Sequence, residues 1–231
     1  MIPLRDLNPT RTFPVLTVLI IGANVAVFLF QLTLPPMAER SFVFSYAMIP
    51  AKLGLALHDP RVGLLAAGGS LLTSMFLHGG LMHILGNTWF LWVFGDNIED
   101  RLGHLRFVAF YLVCGIGAAL AHAALNLNST IPVVGASGAI SGVLGAYLVL
   151  FPGRRVITLI PLPFFFFTAQ LPAVVILGYW FVIQFVSGVS SLAGPGGPGV
   201  AWWAHIGGFL IGILLLPIFT PRRRQPQITS F

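Results

Sequence analysis

The sequence predicts an all-α membrane protein, a bundle of six transmembrane helices with a large first loop. Three observations lead there. Of the 231 residues 57% are hydrophobic and only 8% charged, where a soluble domain carries about a quarter charged residues. The apolar residues fall in runs long enough to span a bilayer as helices. The cations gather at alternate ends of those runs.

Six runs bounded by charge, Pro or Gly are expected to span: about 13–32, 75–95, 105–126, 134–151, 171–189 and 201–219. The first is close to the roughly 20 residues that a spanning helix needs and longer than the apolar core of a cleaved signal, so it is expected to be retained. All six are too long and too continuously apolar for the alternating strands of a membrane barrel, and only a helix satisfies its own backbone in lipid. Between the first two runs, residues 34–70 hold Pro35, Pro36, Glu39, Arg40, Lys52, Asp59 and Arg61, which reads as the large first loop, with short helices at the interface. The cluster AGPGGPG at 193–199 reads as a turn before the last span. Twenty-six glycines and twenty phenylalanines suit helices that pack through small residues and face lipid with aromatics. The single cysteine, Cys114, excludes an intramolecular disulfide framework and has no metal-ligand spacing around it. No repeat or second domain divides the chain. The expected organisation is a segment 1–12, a membrane domain 13–219 and a basic tail 220–231.

Six spans put both termini and the second and fourth loops on one side. That side carries Arg5, Arg11, Arg101, Arg106, Arg154, Arg155 and Arg222 to Arg224, nine of the twelve cations. Cytoplasmic loops are enriched in Lys and Arg, so both termini are expected to be cytoplasmic in a cell-membrane protein. The same asymmetry accounts for the net charge of +6, and no basic stripe interleaved with aromatics points to nucleic acid.

With the spans oriented, four polar residues reach a similar shallow depth below the outer face. His83 and Asn87, four apart in HGGLMHILGN, share one face of the second span. Ser137 in GASGAISG lies near the outer end of the fourth, and His205 in WWAHIGGF about one turn into the last. A neutral histidine is the usual base for a serine nucleophile, and Ser137 and His205 supply that pair. His83, Asn87 and the Ser137 N–H are donors suited to an oxyanion. The implied reaction is hydrolysis of an amide or ester. A carboxylate to orient the base is missing, since Asp96, Glu99 and Asp100 lie at the opposite face, so a Ser–His dyad is expected without metal or organic cofactor.

Each residue also has a packing explanation. Gly138, Gly142 and Gly145 with Ser137 and Ser141 form a small-residue helix face, as do Gly208 and Gly212. His205 alone could bond a backbone carbonyl, and Asn87 could bond across helices. Asn24, Gln31, His122 and Gln184 have no evident partner, and His78 and His104 are expected to be solvated near span ends. A transporter would show charge at mid-membrane or an internal repeat, and neither is present.

The motifs HGGLMHILGN, EDRLG, GASGAISG and AHIGG, in this order and spacing, resemble those of the rhomboid family of intramembrane serine proteases. The resemblance covers nearly the whole chain. It implies that Ser137 is the nucleophile, His205 the base, and His83 and Asn87 the oxyanion donors. It further implies a six-helix bundle with a water-filled cavity open to the outer side. Transmembrane protein substrates would enter past the fifth helix, near Tyr179, Trp180 and Phe181, and be cut near helix-breaking residues. Glu99 and Arg101 would be structural. The alternative is an inactive relative that binds transmembrane clients. Two positions depart from the family pattern: Ser141 stands where an aromatic often stacks on the catalytic histidine, and GGSLLTS replaces a Trp-Arg pair of the first loop.

Overall fold

The computed structural model describes residues 1–59, 61, 63–192 and 200–221. The turn 193–199 and the cations Arg222 to Arg224 lie outside the described residues. In chain order the elements are β1 (Ile2–Asp6), α1 (Val15–Thr33), α2 (Pro36–Tyr46), α3 (Pro50–Ala56), α4 (Leu64–Thr73), α5 (Leu81–Leu102), α6 (His104–Leu125), α7 (Ser137–Leu150), β2 (Arg155–Pro161), β3 (Phe166–Pro172), α8 (Ala173–Ser191) and α9 (Trp202–Phe219). A short 3-10 turn, Ser74–Phe76, follows α4.

Helices dominate, and α1, α6, α8 and α9 are each long and apolar enough to cross a membrane. The segment Leu65–Phe76 and α5 together form a fifth candidate, bent by 81°. The remaining apolar helix, α7, has 14 residues, about 21 Å of rise against a hydrocarbon core of about 30 Å. Residues 134–136, read from their composition as part of this span, are not helical: Val133 bridges Met48, and the Gly135 N–H donates to the Ser74 carbonyl at 2.9 Å. Residues 36–46 and 50–56, within the region read as the first loop, form α2 and α3.

The all-α expectation needs correction. β1, β2 and β3 form an antiparallel sheet in that order, with Ile2 opposite Leu159 and Asp6 opposite Val156. Val156, Ile157, Thr158 and Ile160 are β-branched, and Val156 and Thr158 are buried. The strands are too short for a scan tuned to 20-residue spans, and β1 meets a partner some 150 residues away.

Polar groups tie the N-terminal segment to the far end of α5. Glu99, fully buried, accepts from the N–H groups of Leu16 (2.9 Å) and Thr17 (2.7 Å), from the Thr17 hydroxyl (2.7 Å) and from His104 Nδ1 (2.5 Å). A carboxylate here satisfies orphan donors at the start of α1 and complements its dipole. Asp100 accepts from the Thr12 N–H at 2.9 Å. Gly103, at φ 81°, lets α5 end and α6 begin one residue later. On β1, Asp6 accepts from Tyr147 and Asn97, each at 2.8 Å, and burial pushes its carboxyl up to about 6.

The core lies between α5, α6, α7 and α9, where Phe94, Phe107, Phe110, Tyr111 and Tyr147 are fully buried. The Phe94 and Tyr147 rings meet edge-on at 4.9 Å. α7 and α9 touch backbone to backbone: a Cβ on Gly208 would strike the Gly138 carbonyl, and one on Gly212 the Gly142 carbonyl. On its other side Gly142 faces Cys114, whose sulfur would sit 2.6 Å from an added Cβ. Alanine at position 208 is expected to lower stability by about 1–3 kcal/mol, the usual effect of overpacking. Gly22→Ala on α1, where nothing lies within 4 Å, serves as control. Thermal unfolding in detergent checks this; an equal midpoint for the two variants would contradict the seam.

Candidate active site

Ser137 is the first residue of α7, and His205 sits in the first turn of α9. The glycine seam that brings these helices together begins one residue after Ser137. His205 Nε2 lies 2.8 Å from the Ser137 hydroxyl oxygen. On the other side of the ring, His205 Nδ1 lies 2.7 Å from Gln184 Oε1. An amide oxygen only accepts, so Nδ1 carries the proton, and Nε2 is left with its lone pair facing the serine O–H. Gln184 is a buried residue of α8.

Aromatic rings of α8 and of α9 itself bound the imidazole. Trp180, one turn before Gln184 on α8, lies 6.0 Å away at 34°, and Trp202 lies 6.3 Å away edge-on. Ser141, one turn further into α7, is buried, and its hydroxyl donates to the Ser137 carbonyl at 2.6 Å. The two serines of GASGAISG thus differ in kind: one hydroxyl faces a base, and the other is spent on its own helix.

His83 and Asn87 come from α5. The Gly79 N–H donates to His83 Nδ1 at 3.3 Å, which leaves Nε2 as the protonated, donating nitrogen. Nε2 points at Gly135: a Cβ there would lie 2.6 Å from it and 3.4 Å from Asn87 Nδ2. Gly135 also has φ 120°, a backbone conformation that side chains rarely adopt. Asn87 Nδ2 is buried without a hydrogen-bond partner among the described residues. The Ser137 N–H, at the helix start, has no acceptor among the described residues. Two donors therefore gather at Gly135, two residues before the serine, and the Ser137 N–H is a third with unused capacity.

These four residues line one cavity of about 890 Å3, which also reaches His122, Trp180 and Trp203. Behind it, Gln31 of α1 pairs with the backbone of His78: its Nε2 donates to the His78 carbonyl at 3.2 Å, and the His78 N–H donates to its Oε1 at 3.1 Å. This fixes the bend that leads into α5. His78, expected to be solvated, is 2% exposed, because the bend folds it under α1. His104 is half exposed and held by Glu99. Among the residues without an evident partner in the sequence, Gln31 and Gln184 thus have defined ones. A single signal pointed to Gln184: an amide inside an otherwise apolar span.

Comparison with known proteins agrees with the motifs. A Rhomboid domain model matches residues 68–222. The chain is 32% identical over 197 residues to the Arabidopsis thaliana protein named RHOMBOID-like protein 6, mitochondrial, covering 84% of this chain and 58% of that one. It is 33% identical over 152 residues to the Bos taurus presenilin-associated rhomboid-like protein, mitochondrial, covering 65% and 36%. Over a shorter stretch of 78 residues it is 44% identical to Rhomboid protease GluP of Bacillus subtilis, covering 34% and 15%. The chain thus spans little more than half the length of the first of these relatives and less of the others. With a rhomboid domain over most of its length and several membrane-spanning helices, this multi-pass membrane protein belongs to the rhomboid family.

Proposed function

We propose that the chain is an intramembrane serine endopeptidase that cleaves transmembrane protein substrates near the outer membrane face through a Ser137–His205 dyad. The observation that carries this reading is the relay Gln184 Oε1, His205, Ser137 Oγ, with separations of 2.7 and 2.8 Å, opening on a cavity with unused hydrogen-bond donors.

In the mechanism, His205 Nε2 takes the hydroxyl proton as Ser137 Oγ attacks the scissile carbonyl carbon. The negative charge that develops on the carbonyl oxygen is met by the Ser137 N–H, His83 Nε2–H and Asn87 Nδ2–H. Collapse of the tetrahedral intermediate breaks the C–N bond as His205 returns the proton to the leaving amine. Water then repeats the sequence on the acyl-enzyme and restores the serine. Gln184 is a positioning residue: it holds the tautomer that lets Nε2 accept. No metal or organic cofactor takes part in this scheme.

The proposed topology has six crossings, with α1, the bent pair ending in α5, α6, α7, α8 and α9 as spans and both termini cytoplasmic. The shortness of α7 supports it: a helix of about 21 Å that starts at Ser137 leaves the serine below the outer surface, where the cavity admits water for deacylation. Substrate would enter beside α8, whose Trp180 and Phe181 pack on His205 and Phe209 of α9 and whose Tyr179 is exposed.

In proteoliposomes, with a panel of single-pass transmembrane reporters, Ser137→Ala is expected to lower cleavage at least a thousandfold. Undiminished cleavage would refute the nucleophile, and absence of cleavage by the unmodified chain on every reporter would favour the client-binding alternative. Gln184→Leu is expected to lower kcat about ten- to a hundredfold, part of what a positioned base contributes, with KM within twofold. Gln184→Glu keeps an acceptor at the same reach and is expected to recover most of the rate. Equal losses in both variants would remove the positioning role.

A further inference from the structure

The β2–β3 hairpin ends in the sequence PLPFFFF, residues 161–167. All four phenylalanines are exposed, Phe164 at 97%, and Leu162 is exposed beside them. Successive residues Phe166, Phe167 and Thr168 of β3 are exposed, so both faces of the strand are bare near the tip. Scattered exposed apolar residues need no explanation, but a contiguous patch of this kind marks an interaction surface.

The direction of the hairpin identifies the partner. At one end of β1, Asp6 is bonded to Asn97, close to the charged end of α5. At the other end, the Pro3 carbonyl accepts from Trp89 Nε1 at 2.5 Å. Asn97 and Trp89 are eight residues apart, about 12 Å along the helix. β1 therefore climbs α5 from its charged end toward its apolar middle. β2 lies antiparallel beside β1, and Ile2 at the upper end of β1 pairs with Leu159. The phenylalanine tip lies beyond that pair, further along the same direction. Here the exposed flank of α5 shows Leu85, Trp89 and Trp92, a surface for lipid and not for water.

The base of the hairpin has the opposite character. Arg154 and Arg155 are exposed where β2 begins, and β3 runs into α8 with no residue between Pro172 and Ala173. The outer edge of β3 has no strand partner among the described residues. Unpaired backbone groups are not tolerated in pure hydrocarbon, so the depth that suits this element is the interfacial zone. There the rings enter the acyl boundary while edge amides and arginines meet water and head groups.

We propose that the β2–β3 hairpin is a membrane-interface anchor, its phenylalanine tip (Phe164 to Phe167) seated in the lipid leaflet on the arginine-bearing side of the protein. Because β3 is continuous with α8, the anchor sets the depth at which α8 starts. The partner is the bilayer itself, and the proposal stands independently of the catalytic reading.

The test is a nitroxide at Phe164→Cys, in the full chain reconstituted in phosphatidylcholine–phosphatidylglycerol vesicles. Cys114 is buried and stays unlabelled. Collision rates with oxygen, which concentrates in lipid, and with a water-soluble nickel chelate give the depth. The expected oxygen-to-nickel ratio is at least threefold above that of Asn128→Cys in the exposed α6–α7 loop, approaching that of Leu214→Cys on the exposed flank of α9. A ratio equal to that at position 128 would overturn the proposal. So would dipolar broadening at 164, which would assign the tip to a second copy of the chain.

Discussion

The close contact of α7 with α9 is the constraint on which the rest depends. Two glycine pairs, Gly138 with Gly208 and Gly142 with Gly212, let the helix backbones touch with no side chain between them. Ser137 begins one helix at the top of this seam, and His205 lies in the first turn of the other. A single added methyl at the seam would push the helices apart by a fraction of the 2.8 Å that separates base from hydroxyl. Lipid offers little hydrophobic drive for helix association, so such contact rests on backbone proximity and dispersion. The small-residue pattern and the Ser137–His205 pair are therefore one feature: the packing face is what brings the serine and the histidine together.

Around that seam, polar side chains each fix one degree of freedom. Glu99 holds the start of α1 against the end of α5. Gln31 holds the bend before α5 and thereby the height of His83. Gln184 holds the imidazole tautomer from α8, the helix that is also continuous with the sheet. Buried polar groups are costly unless bonded. Three are left open on the cavity that holds Ser137: Asn87 Nδ2, His122 Nδ1 and Trp203 Nε1 have no partner among the described residues, and of these Asn87 Nδ2 lies against Gly135, two residues before the serine.

Much of this was legible in the sequence, for identifiable reasons. Long apolar runs report helices because lipid admits little else, and the spacing of His83 and Asn87 reports a shared face. The sheet was not legible: each strand is short, and the hydropathy of PLPFFFF resembles that of a span. The start of α7 was also hidden, since residues 134–136 are as apolar as the helix that follows, and the break is set by contacts with distant residues, Val133 with Met48 and Gly135 with Ser74, and by the positive φ at Gly135. The histidine's partner escaped for a third reason. Gln184 lies on a different helix, and no periodicity in one element reveals what faces it in another. A ring of that same helix, Trp180, lies 6.0 Å from the imidazole at a tilt of 34°, so α8 supplies both the hydrogen bond and an aromatic neighbour.

The central claim is that the seam makes one serine of GASGAISG nucleophilic and leaves the other inert. Its most direct measurement is reaction of the reconstituted chain with a fluorophosphonate, followed by mapping of the modified residue by mass spectrometry. The account predicts modification at Ser137, none at Ser141, and loss of labelling in His205→Ala. Modification at Ser141, or labelling of Ser137 that persists without His205, would contradict it.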